Sequence, residues 1–145
     1  MNALIRMFRL LMLLFTLTAA LPASADTINN YQLYKEKKIV VAGSETGVSE
    51  QVKLLESKRG DKWTFRYNYC SPSPDRLMHL VIRDKENEIV AEFEFKEALE
   101  LKADVLLDWM DSGGRKMEQF RFCYYEGPAK ENGDRLLFEL TIAQR

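Results

Sequence analysis

Strict two-residue alternation of large apolar and polar side chains is the feature that most narrows what this chain can become. It is clearest in Trp63 to Cys70, where Trp63, Phe65, Tyr67 and Tyr69 fall on one side and Thr64, Arg66, Asn68 and Cys70 on the other. Gln119 to Tyr125 repeats it, with Phe120, Phe122 and Tyr124 set against Arg121, Cys123 and Tyr125. Successive side chains of a strand point to opposite faces, so each run reads as a strand with one face in a core. The two runs, each carrying one of the chain's two cysteines, are the expected centre of the fold.

Other segments share the pattern. Tyr31 to Ala42 holds the β-branched run Ile39, Val40, Val41 and ends at Gly43, before a polar loop from Ser44 to Glu50. Val52 to Ser57, Arg76 to Asp84, Glu88 to Lys96 and Arg135 to Ala143 read as strands too. Lys58-Arg59-Gly60-Asp61 predicts a hairpin turn with Gly60 at positive φ. Ser71-Pro72-Ser73-Pro74-Asp75 must turn, because each proline lacks an N–H for a ladder. A loop through Gly127, Pro128 and Asn132-Gly133 precedes the last strand. Glu97 to Met110 is rich in helix formers, yet Leu99, Leu101, Ala103, Val105, Leu107 and Trp109 all fall on odd positions, which predicts a strand. Eight such segments imply an all-β domain, either a sandwich or a small up-and-down barrel.

The first 25 residues resemble nothing in the rest. Arg6 and Arg9 precede the apolar stretch Leu10 to Ala20, and Ala23-Ser24-Ala25 follows it, the order of a cleavable secretory signal. The apolar stretch is shorter than the roughly 20 residues a membrane-spanning helix needs. The expectation is a leader over residues 1–25, a single domain over 26–145, and an exported, periplasmic or secreted, protein with no span left after cleavage. Two thiols in an exported chain are expected to pair, so Cys70 and Cys123 are read as a disulfide. The third and seventh strands of an eight-stranded barrel are diametrically opposed, beyond the roughly 7 Å Cα separation a disulfide allows. A disulfide therefore favours the two-sheet antiparallel sandwich, immunoglobulin-like in the loose architectural sense.

The search for chemistry is mostly negative. His79 is the single histidine, no Gly-x-Ser-x-Gly turn surrounds a serine, and no glycine-rich phosphate loop occurs. No metal, cofactor or catalytic set is expected. Without the leader's two arginines the chain has 19 basic and 22 acidic residues, a poor match to nucleic acid. Of the 15 acidic residues from Asp84 to Arg145, ten fall between Asp84 and Asp111. If the strands holding Glu92 and Glu94 and holding Glu100, Asp104 and Asp108 pair, those carboxylates gather on one face. Tyr69, Tyr124 and Tyr125 lie beside the loops at one end, where sandwiches commonly bind. The expected function is thus a noncatalytic protein-binding module, an inhibitor or accessory subunit of a basic partner. The alternative is a carrier of small apolar ligands, with the aromatic row lining a cavity.

Overall fold

The computed structural model describes residues 28–70, 76–127 and 133–145. The leader expected over residues 1–25, the turn expected at 71–75 and residues 128–132 of the loop expected before the last strand lie outside them. Among the described residues ten strands and one helix form in the order β1 (Asn30–Lys35), β2 (Lys38–Ser44), β3 (Gly47–Gln51), β4 (Leu54–Ser57), β5 (Lys62–Asn68), β6 (Met78–Arg83), β7 (Ile89–Phe95), β8 (Ala98–Lys102), α1 (Asp104–Ser112), β9 (Met117–Glu126) and β10 (Arg135–Gln144). They make two five-stranded sheets, β3-β2-β1-β5-β8 and β4-β10-β9-β6-β7. Every pairing is antiparallel except β10 with β4, which is parallel. The sheets pack face to face as a β-sandwich and do not close into a barrel.

The alternation decides which side of each strand is buried. Trp63, Phe65 and Tyr67 of β5 and Phe120, Phe122 and Tyr124 of β9 meet in one core with Tyr31, Leu33, Leu80, Ile82, Phe138 and Leu140. Phe122 and Phe138 stack at 4.6 Å, and Tyr31 stacks on Phe138 at 5.6 Å. Burying one such ring is worth roughly 1.5 to 3 kcal/mol, so this row accounts for much of what holds the sheets together.

Five expectations change. The segment Tyr31 to Ala42 is a hairpin, β1 and β2, that turns where Glu36 adopts a positive φ of 57°. The polar loop after it holds the edge strand β3, every residue of which is exposed. Gly60 has the expected positive φ of 85°, but its turn joins β4 and β5, which belong to different sheets, so it is a corner and not a hairpin.

Glu97 to Met110 divides. Leu99 and Leu101 keep the strand period in β8, and from Ala103 the burial changes to Ala103, Leu106, Leu107 and Met110. That spacing of i, i+3, i+4, i+7 is one face of a helix. Arg59 holds the exposed side of α1, with Nη1 2.6 Å from Asp108 and Nη2 2.7 Å from Asp111, while the Gly60 N–H donates to Asp104 at 3.1 Å. Asp61, which closes the same turn, accepts from Ser57 and pairs with Lys35 at 2.7 Å.

The expected disulfide is absent, and the placement of the two cysteines explains it. Cys70 lies in a bend just past β5, exposed, where its thiol donates to the Ile28 carbonyl. Cys123 faces outward from the second sheet, between Phe122 and Tyr124, which face in. An exposed thiol past the end of a first-sheet strand and a buried thiol on the outer side of the second sheet are not joined.

Candidate functional site at the loop end

One end of the sandwich gathers the β2–β3 turn, the end of β5, the start of β6, the end of β9 and the start of β10. Pairings Asn30 with Asn68, Asn30 with Ser44, Met78 with Glu126 and Arg135 with Tyr124 place these termini together. Here the aromatic core row finishes in hydroxyls. Tyr67 from the first sheet and Tyr124 from the second approach to 4.6 Å between ring centroids, and Tyr69 lies 4.9 Å from Tyr67.

Two glutamates receive these hydroxyls. Oε1 of Glu45, in the β2–β3 turn, accepts from Asn29 at 2.9 Å, Tyr67 at 3.0 Å and Tyr124 at 3.1 Å. Oε1 of Glu126 accepts from Tyr69 at 2.9 Å and lies 3.3 Å from the Tyr124 hydroxyl. Tyr124 has one proton for two carboxylates, so it links them without satisfying both. Two arginines complete the group. Arg76 lies 4.2 Å over the Tyr69 ring with Nε 3.7 Å from Glu126, and Arg135 reaches to 3.9 Å from Glu45.

The electrostatics keep the hydroxyls as donors. Burial first, then their hydrogen bonds to carboxylates and to one another, pushes Tyr67 and Tyr69 well above the usual tyrosine range, and burial raises Tyr124 too. The Asn29 hydrogen bond leads in holding Glu45 below its usual value, opposed by burial and supported by both tyrosine hydroxyls and Arg135. Glu45 is therefore an anion facing protonated phenols near neutral pH.

A second cluster occupies the outer face of the second sheet. His79 and Tyr125 stack with 4.3 Å between centroids and 3° between planes. The Tyr125 hydroxyl donates to Glu92, which lies 3.8 Å from His79 Nδ1. Arg83 of β6 pairs with Asp134, just before β10, at 2.8 Å, so the pair spans the intervening β9. Val81 and Cys123, cross-strand neighbours on this outer face, are buried. Burial and the Asp134 charge, against Arg121 and Arg83, push the Cys123 thiol up to about 11, which leaves it protonated and a poor nucleophile at neutral pH.

The expected binding residues therefore separate. Tyr69 and Tyr124 meet at the loop end, while Tyr125, Glu92 and Glu94 lie on the outer face of the second sheet. Glu100 faces out from the first sheet opposite Thr64, and Asp104 and Asp108 hold the β4–β5 corner against α1. The acidic face does not assemble because β7 pairs with β6 and β8 with β5, in different sheets. Glu45, Glu126, Tyr67, Arg76 and Arg135 were missed. The signal that could have found two of them was adjacency: Glu126 follows Tyr124 and Tyr125 directly, and Arg76 opens the segment after the prolines.

The aromatic row fills the core. The gap bordered by Trp63, Ile82, Phe93, Leu101 and Leu106 is too small for a water molecule. A surface cleft lined by Tyr34, Glu36, Lys37, Thr64 and Arg66 has a volume of about 170 Å³, below the roughly 300 Å³ at which ligand pockets begin. Among the described residues no group of three or more His, Cys, Asp or Glu could hold a metal ion, and no helix is long and apolar enough to cross a membrane. No known protein family matches the chain, and a search of curated proteins finds no match to it.

Proposed function

We propose that this chain is an exported, noncatalytic protein-binding domain that docks a basic partner, as an inhibitor or accessory subunit, through its loop end. The observation that carries the reading is the convergence of Tyr69, Tyr124, Glu45 and Glu126 around two arginines of the chain itself. Tyrosine supplies large, rigid contact area with a polar tip, and carboxylates beside it favour cationic side chains. Glu45 retains an oxygen, Oε2, that no donor among the described residues reaches. The carrier reading draws no support from a row of rings that packs against itself.

The test is affinity capture from an envelope extract with the tagged chain, in parallel with Tyr69→Ala and Glu126→Gln, quantified by mass spectrometry. A basic protein retained by the parent and depleted from both variants is the expected result. An identical set of captured proteins on all three sinks the assignment of the loop end.

A further inference from the structure

Arg76 stacks on Tyr69 but makes poor use of Glu126. Its guanidinium carbon lies 4.2 Å over the Tyr69 ring, while its Nε stands 3.7 Å from Glu126 Oε2, beyond hydrogen-bond distance. Both side chains remain about one-third exposed, at 33% and 38%. A guanidinium carries five donors in a planar fork that matches a carboxylate edge-on, and here the flat face lies over Tyr69 while the fork does not engage Glu126 within hydrogen-bond distance. The seat itself is set from beneath, because the Tyr69 hydroxyl donates to Glu126 Oε1 and Tyr124 lies 3.3 Å from the same oxygen.

We infer that the Tyr69–Glu126 seat is a guanidinium site, which Arg76 fills in the free protein and which an arginine of the partner takes over on docking. The inference rests on the docking reading above and names the partner side chain that the docking uses. Net attraction alone does not select this occupant, since Glu45 and Glu126 already face Arg76 and Arg135. What favours exchange is geometry. An exposed pair outside hydrogen-bond distance is cheap to break, and an incoming arginine approaching from solvent can stack on Tyr69 and direct its fork at Glu126. Lysine, a point charge without a planar face, gains less from the same seat.

The experiment measures binding of a fluorescent tetra-arginine peptide and a tetra-lysine peptide to the full mature chain by anisotropy at low salt. Arg76→Ala removes the resident guanidinium and is expected to tighten tetra-arginine binding about three- to tenfold, the range set by one cation–π contact and one exposed ion pair. The gain for tetra-lysine should be smaller. Glu126→Gln is expected to weaken tetra-arginine binding in the parent and to cancel the gain in Arg76→Ala. Arg76→Lys, which keeps the charge, should fall between the parent and Arg76→Ala. Equal gains for both peptides mean that Arg76→Ala acts only through net charge and overturn the inference. So does an unchanged or weakened affinity in an Arg76→Ala protein whose circular dichroism matches the parent. If Glu126→Gln loses the captured partner while Arg76→Ala changes nothing, docking at the loop end stands and the displacement by arginine does not.

Discussion

Tyr31 and Gly43 are cross-strand partners on the inner side of the first sheet, and the tyrosine lies so close to the glycine that a Cβ there would meet its hydroxyl at 2.5 Å. The reason for the closeness lies in the opposite sheet. The Tyr31 hydroxyl donates to the Leu137 carbonyl at 2.7 Å, and Leu137 sits at the β10 irregularity between Leu136 and Phe138. A bulge leaves a residue outside the ladder, and here its carbonyl is met from across the sandwich. Gly43→Ala is expected to cost about 1 to 3 kcal/mol by overpacking, and Tyr31→Phe about 1 to 2 kcal/mol for a buried carbonyl left unpaired. Urea unfolding with unchanged slope is the check, and a Gly43→Ala protein as stable as the parent would show that Tyr31 can move without loss.

The helical face of α1 gives a sharp contrast with a strand over the same residues. Leu106→Ala and Met110→Ala should each cost about 2 to 5 kcal/mol, because both side chains are buried. Val105→Ala should cost less than about 1 kcal/mol, because Val105 is 38% exposed. A strand predicts the reverse for neighbours 105 and 106, so the ranking of the two variants separates the alternatives.

Cys70 and Cys123 should not be joined to each other in the folded protein. Peptide mapping of natively expressed, non-reduced material is expected to find no peptide pair linking them, and one such pair in good yield refutes the placement of the two thiols. Cys123 should resist alkylation at neutral pH and react on unfolding, and Arg83→Ala should speed its reaction by opening the ion pair that spans β9. Because the thiol's folded pKa, about 11, exceeds the ordinary value of 9.0, its contribution to stability is complete below 9.0 and is lost as pH rises through 11.

Acid should loosen the loop end. Glu45 has a folded pKa below the ordinary 4.5, so the stability it contributes is complete above that value and disappears as pH falls through the folded one. The ring resonances of Tyr67 and Tyr124 should shift through that window, and Glu45→Gln should abolish the shift. Rings that titrate identically in parent and variant would assign the acid response to another carboxylate.

Residue alternation by itself determined that the domain is all-β, which side chains form the core, and that Tyr69 and Tyr124 stand at one end of it. It also held the evidence for α1 and against the disulfide. Leu106 and Met110 complete a helical period begun at Ala103, which a count of odd positions alone overlooks. Cys123 alternates with Phe120, Phe122 and Tyr124, so its thiol points away from the shared core. Only the tertiary structure decided which strands are neighbours. Alternation specifies the face a side chain takes and is silent on the partner across the ladder, so β7 and β8 could follow one another in the chain and still enter different sheets. That choice disperses Glu92, Glu94 and Glu100. The same folding brings Glu45 within hydrogen-bond distance of Tyr124, 79 residues away, because loops distant along the chain become adjacent only when both sheets close over one core.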